Sequence, residues 1–289
     1  MPLLSADQLL TSDAQHAALA RIAGAPPGLV LSVGGPSSGK LTLLLAIAYR
    51  IAGARPVVLL TDTPDHYAPF HPLPPTWRER VVAATPAAWE AALRDAGDAL
   101  TVVAPLAPAS AAPTVARARH GWTLAAVEDV RCGLAAMPAL TAMGVPRDAF
   151  VDTVRAVWSQ FLVPGLCPDC ALPATLPAAE MQALLGPRAA PATDVRSEQG
   201  CPACAGSGTR GREAVCDVVV VDDGMRPALR RALADGTPFA PPATARLSAL
   251  DQARDLLCAG YIGVGTFRDA VRAHPWLRAQ AGVARGGRA

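Results

Sequence analysis

The stretch that most constrains this chain is Gly34-Gly35-Pro36-Ser37-Ser38-Gly39-Lys40, which satisfies G-x-x-x-x-G-K. An apolar run over residues 28–33 precedes it, and a helical pattern over 40–51 follows. Such a loop needs a buried strand that hands the backbone to a helix N-terminus. There the glycines let N–H groups turn inward on an anion, the helix end adds positive potential, and the lysine neutralises outer phosphates. The competing reading is an ordinary glycine-containing strand-to-helix turn. The pattern therefore nominates Gly34, Gly35, Pro36, Ser37, Ser38, Gly39, Lys40, Leu41 and Thr42 as a phosphate cradle. The residue after the lysine should carry a hydroxyl for Mg²⁺, but it is Leu41. Thr42 comes one step late, about 100° around the helix, so Mg²⁺ coordination is expected to be impaired.

Further short apolar runs at 57–61, 80–84, 100–103 and 122–127 read as strands. Residues 86–95 read as a helix, with Thr85 as N-cap and Pro86 in the first turn. Short strands alternating with helices imply a largely parallel sheet, hence an α/β fold. Beyond about residue 131 the pattern turns mostly helical, over 131–142, 147–162, 178–185, 224–234, 247–259 and 266–273, with one strand at 215–221. The expected organisation is a helical lead-in at 1–27, an α/β core at 28–150, a mostly helical portion at 151–275 and a frayed tail at 276–289. The Pro-rich stretch 237–243 reads as a linker, and no internal repeat is visible.

Seven cysteines in a chain without a visible signal peptide do not suggest a disulfide framework. Four of them form two C-x-x-C pairs, Cys167/Cys170 and Cys201/Cys204. Two such turns can close a tetrahedral shell around Zn²⁺, with no position left open for substrate, so the metal would be structural. Pro168 and Pro202 restrict the two turns. Four unrelated thiols or a redox pair are the other readings. Cys132, Cys216 and Cys258 lie in apolar or helical surroundings and read as core.

Composition excludes several classes. A net charge of +2 argues against a nucleic-acid partner held by bulk charge, and 4% aromatics argue against base-stacking platforms. Mean hydropathy is +0.26, so membrane spans need checking. Arg50, Arg55 and Pro56 break the 41–60 block, and Pro105, Pro108 and Pro113 break 99–115. The N-terminus shows no basic segment ahead of an apolar run, and the chain reads as cytoplasmic.

Residues 157–170 (VWSQFLVPGLCPDC) and 201–223 (CPACAGSGTRGREAVCDVVVVDD) resemble the helix, cysteine pairs, T-G-x-R-G-R segment and acidic turn of the type II secretion and type IV pilus assembly ATPases. Gly208, Arg210, Gly211 and Arg212 fit that segment, as do Met143-Gly144-Val145 upstream and 247–271 downstream. The resemblance to these traffic ATPases covers only their C-terminal motor domain. It implies a RecA-like P-loop core, a zinc-stapled helical C-terminal subdomain, ATP as ligand and a homo- or hetero-hexameric ring. It also implies association with inner-membrane secretion or pilus platform proteins.

The front half resembles the family in layout but not in chemistry. Residues 59–64 fall at its acidic box, where Asp62 stands, and Arg94 matches a family arginine. The strand at 100–103 then runs into Ala104-Pro105 where the family has a catalytic glutamate, and the next acid is Glu128. Residues 125–129 replace the histidine box, and His120 lies too early. Together with Leu41, three catalytic elements are altered, which implies a degenerate motor that binds ATP or is purely structural. In the alternative, an active motor recruits Thr42, Asp62, Glu128 or a partner's acid. A P-loop protein of DNA uptake or partition would explain the loop but not the four cysteines.

Arg94, Arg210 and Arg212 are candidates for inter-subunit or phosphate contacts, against a solvated basic turn for the last two. Arg117, Arg119 and His120 read as a solvated basic loop, and Trp89, Trp122 and Trp158 as core. His66 and His71 have no ligand pair nearby in sequence.

Overall fold

The sheet is built around β1 (Leu29–Gly34), whose six residues are all buried, as expected of a continuous apolar run in a parallel sheet covered on both faces. The computed structural model describes residues 9–61, 75–78, 81–83, 86–129, 133–186, 195–237 and 239–281. Helix α1 (Asp13–Gly24) precedes β1 and opens with a capping box between Ser12 and Gln15. Then come α2 (Lys40–Ala52), β2 (Val57–Thr61), α3 (Pro75–Arg78), β3 (Val81–Ala83), α4 (Pro86–Asp95), β4 (Leu100–Ala104), α5 (Pro108–Arg117) and β5 (Thr123–Glu128). Next are α6 (Met137–Ala142), α7 (Arg147–Thr153), β6 (Val154–Leu166), β7 (Leu172–Pro173), α8 (Ala178–Leu185), β8 (Arg196–Ser197) and β9 (Thr209–Val220). The last elements are α9 (Arg226–Asp235), β10 (Arg246–Leu247), α10 (Ala249–Cys258), α11 (Val264–Ala273) and α12 (Pro275–Gln280).

The main sheet runs in the order β10-β9-β6-β1-β5-β4-β2-β3. Strand β1 pairs in parallel with both β5 and β6, and β2 pairs in parallel with β3 and β4. Strands β10 and β9 pair antiparallel, and β9 also runs antiparallel to β6, with the Val221 N–H donating to the Arg155 carbonyl at one end and the Cys167 N–H to the Gly208 carbonyl at the other. Helix α2 (KLTLLLAIAYRIA) is apolar nearly all round and packs against β1, β4 and β5, which is where such a helix has to go.

Two compact units interleave along the chain. One comprises Met1–Gln160 with Asp217–Leu247, the other Phe161–Cys216 with Ser248–Ala289. In the first, Leu31, Val33, Leu60, Val103, Val127 and Phe150 belong to one buried cluster, and Trp89 joins them. In the second, the antiparallel β7–β8 pair accompanies a core that includes Phe161, Leu185, Val215, Leu257 and Phe267.

Several expectations change. The helix expected over 147–162 ends at Thr153, and the next thirteen residues form β6. Residues 151–275 therefore carry two of the longest strands, β6 and β9, rather than being mostly helical. The physical reason is that residues 154–160 lie beside β1, where burial on both faces suits the run V-R-A-V-W-S-Q. The strand expected over 215–221 begins earlier, at Thr209, so Arg210 and Arg212 lie on a strand. Helix α5 lies in the proline-interrupted stretch 99–115, with Pro108 in its first turn, where a missing N–H costs nothing. Arg117 is no part of a solvated loop. It is buried at the end of α5 and donates to the carbonyls of Gly97 and Ala99 at 2.8 and 3.0 Å.

Trp89, Trp122 and Trp158 are buried, and Cys216 is buried in β9. Thr85, Cys132, His66 and His71 lie outside the described residues. No helix among the described residues is long and apolar enough to cross a membrane.

Candidate functional site

The glycine loop leaves the end of β1 and enters α2 at Lys40. Gly34 is required by close approach: a Cβ there would sit 2.4 Å from both the Gln160 carbonyl oxygen and Ser38 Oγ. Gly39 is required by its left-handed backbone, φ 83°, at the N-cap of α2. Because the cap is glycine, no side chain caps the first N–H groups of this thirteen-residue helix, and its first turn carries no acid. That leaves a positive helix end free to face an anion. Ser38 Oγ is buried and makes no hydrogen bond, a further donor available to a ligand in the loop.

Lys40 is only 8% exposed and donates to the Gly35 carbonyl at 2.6 Å. Burial holds its ammonium below the ordinary lysine value, partly offset by Glu128. The Glu128 carboxylate, at the end of β5, approaches Lys40 Nζ to 3.5 Å. Gln160 on β6 donates from Nε2 to the Ser38 carbonyl at 2.7 Å and steadies the loop from the other side. Sequence reasoning had no signal for Gln160, because its partner lies 122 residues away.

Leu41 is buried and aliphatic at the position where a metal hydroxyl would stand. Thr42, the next residue, lies on α2. Strand β4 ends at Ala104, so it contributes no carboxylate. Asp62 lies outside the described residues.

The second site is formed by Cys167, Cys170, Cys201 and Cys204, whose sulfurs all lie within 4.8 Å of one another. Cys167 and Cys201 are 4.0 Å apart, Cys170 and Cys204 3.8 Å, and Cys201 and Cys204 3.7 Å. Sulfurs at about 2.3 Å from a tetrahedral Zn²⁺ lie about 3.8 Å from each other, so the cluster already has the edge lengths of that shell. The backbone N–H groups of Cys201 and Gly208 both reach Cys204 Sγ at 3.2 Å. Donation from Cys201 helps pull Cys204 down to about 6, while burial pushes Cys170 up to about 12. Thiols this close compete for ionisation, and a divalent cation removes the competition by holding all four as thiolates.

Residues 130–240 match the family model described as "Type II/IV secretion system protein". Type II secretion system protein E of Pectobacterium carotovorum is 27% identical over 207 residues, covering 71% of this chain and 41% of that protein. The Klebsiella pneumoniae protein is 29% identical over 209 residues, with the same shares. This chain is similar to type II secretion system protein E over about seven tenths of its length. It spans about two fifths of the length of the curated relatives it matches.

The Legionella pneumophila ATPase DotB has a similar fold, at TM-score 0.57 and 15% identity, covering 93% of this chain and 66% of DotB. The pilus retraction motor PilT, solved with bound ADP, gives TM-score 0.59 at 13% identity, covering 93% of this chain and 67% of that one. Both cysteine pairs and the Arg210–Arg212 segment fall inside the stretch matched by the family model, whereas the glycine loop does not.

The remaining traffic-ATPase-like positions scatter. Arg94 is exposed and pairs with Glu90 at 3.5 Å on its own helix. Arg210 pairs at 3.2 Å with Asp169, which lies inside the first cysteine pair, and Arg212 is exposed. A separate cavity of about 770 Å³ is lined in part by Met137, Arg147, Asp217, Val219, Leu233 and Arg246, none of them a site residue expected from the sequence.

Proposed function

We propose that this chain is a nucleotide-binding subunit of a type II secretion or type IV pilus motor, with weak or no ATP hydrolysis of its own. The observation that carries the reading is the contrast between the loop and the residues around it. An uncapped helix end and a buried lysine form an intact anion cradle, while Leu41 and Ala104 stand where a hydroxyl and an acid would serve hydrolysis. Gly34 to Lys40 would hold the outer phosphates of ATP, with backbone N–H groups and the Lys40 ammonium as donors. The cysteine cluster would hold a structural Zn²⁺ that fixes the turn after β6 to the start of β9. By analogy with the relatives, the subunit works in a hexameric ring at the inner membrane, with Arg94, Arg210 and Arg212 available to neighbouring subunits or phosphates.

Equilibrium binding of ATP to the purified zinc-loaded chain tests this, with Lys40→Ala as control. The expected result is ATP binding that Lys40→Ala weakens at least about tenfold, about 1.4 kcal/mol, with turnover near background. No binding up to millimolar ATP would overturn the nucleotide role and leave a purely structural subunit. Turnover that depends on Lys40 would establish instead the second reading, an active motor, which the nearness of Glu128 to Lys40 favours.

A further inference from the structure

We infer that Glu128 is the cation-binding acid of the phosphate loop: it receives the divalent cation that accompanies the nucleotide, directly or through ordered water. This rests on nucleotide binding at the loop between β1 and α2.

The position of Glu128 is fixed by the sheet. Strand β5 is the immediate neighbour of β1, and the pairing sets Val33 opposite Val127 and Gly34 opposite Glu128. The N–H of Asp129 donates to the Gly34 carbonyl at 3.2 Å, so the end of β5 is tied to the first residue of the loop. The Glu128 carboxylate is thus held at the mouth of the cradle, while β4, one strand further out, ends without an acid. Among the described residues it is the acid that reaches Lys40.

The Lys40–Glu128 contact is not a tight ion pair. Charge-assisted N–H···O bonds run to about 2.7–2.9 Å, whereas this one is 3.5 Å, and Lys40 is closer to the Gly35 carbonyl, at 2.6 Å. Glu128 is 56% exposed, so its carboxylate remains open to solvent and to a ligand.

An anion in the cradle changes the balance of charge. Lys40 turns to the phosphates, and the carboxylate is left facing a group of its own sign. That arrangement needs a positive charge between the two. A divalent cation supplies it, because Mg²⁺ characteristically takes one or two carboxylates together with substrate phosphates and keeps several waters. Leu41 cannot help, since its side chain has no oxygen. The acid role has moved to the strand beside the loop.

The test measures ATP affinity calorimetrically for the full zinc-loaded chain and for Glu128→Gln, each in excess Mg²⁺ and in buffer freed of Mg²⁺ beforehand on a chelating resin, so that the bound zinc is kept. The partial exposure of Glu128 and the isosteric change keep the variant folded, and a thermal melt confirms it. For the unaltered chain, Mg²⁺ should tighten ATP binding by about tenfold or more. In Glu128→Gln the Mg²⁺ effect should fall to about twofold or less, and metal-free ATP should bind at least as tightly as to the unaltered chain, because a repelling charge is gone. A Mg²⁺ effect of equal size in both proteins would overturn the assignment and leave the nucleotide reading intact. Absence of ATP binding to the unaltered chain in either buffer would overturn both.

Discussion

Gln160 Nε2 donates to the Ser38 carbonyl at 2.7 Å, so the middle of β6 holds the phosphate loop in place. Both residues are buried, at 5% exposure each. Replacing Gln160 with Ala removes this bond while leaving the backbone carbonyl that faces Gly34. The expected cost is about 1 kcal/mol of stability, with ATP affinity reduced several-fold. Unfolding curves and calorimetry read the two effects, and unchanged ATP affinity would show that the loop holds its shape without Gln160.

Metal removal should act on the other unit. Cys201→Ser with Cys204→Ser leaves two sulfurs, too few for a closed shell. The purified variant should contain no stoichiometric zinc by elemental analysis, where the unaltered chain contains one equivalent. Its stability should fall by about 3 kcal/mol relative to protein in a hundredfold excess of zinc over the dissociation constant. Equal zinc content in both proteins would refute the assignment of the ligands.

Acid sensitivity is expected from His274. Its ring stacks on Phe161 with centroids 3.6 Å apart, and Trp276 meets Phe161 edge-on at 5.1 Å. Burial holds the imidazole below its ordinary value of 6.5. The unfolded chain therefore binds a proton more readily than the folded one, and stability rises with pH between the folded value and 6.5. Below that window the folded ring must also be charged, and the full cost is present. His274→Phe should remove this part of the pH dependence, as read from melting temperatures across pH 4 to 8.

Glu198 should produce a loss of stability at a lower pH. Its carboxylate accepts from the N–H groups of Gly265 and Thr266 at 3.1 and 2.8 Å, at the start of α11. Burial works against the charge, but the bonds from the α11 backbone outweigh it and hold the group below its ordinary value of 4.5. The stabilisation is present above 4.5 and disappears as pH falls through the folded value. Glu198→Ala should cost about 1 kcal/mol at neutral pH, by analogy with loss of a helix cap, and much less in acid. An equal cost at both pH values would assign the effect to packing instead.

The phosphate loop and the cysteine cluster were legible because each is written in residues close together in sequence. Gly34 and Gly39 mark the two backbone demands of the loop, and the C-x-x-C spacing marks each half of the cluster. Strand β6 was not legible, because an apolar run buried on both faces has no alternating pattern to separate it from a buried helix. What decides is pairing with β1, visible only once Ser32 lies beside Trp158. Helix α5 was hidden by its own prolines: Pro108 fits because it sits in the first turn, whereas Pro113 lies inside the helix and is carried there against its own preference. Glu128 could be nominated from the sequence, but its reach to Lys40 depends on β5 lying next to β1, which chain order does not reveal.

The interleaving of the two units has a consequence for biosynthesis. A ribosome that has released residues 161–216 has made every cysteine of the cluster, but not Leu250, Leu257, Phe267 or Leu277, which complete the core of that unit. A nascent chain stalled before residue 248 would thus hold the full metal-ligand set without the apolar partners that bury its surroundings. Closure of this unit is a late event of translation, and no single cut in the gene separates it from the half that carries the glycine loop.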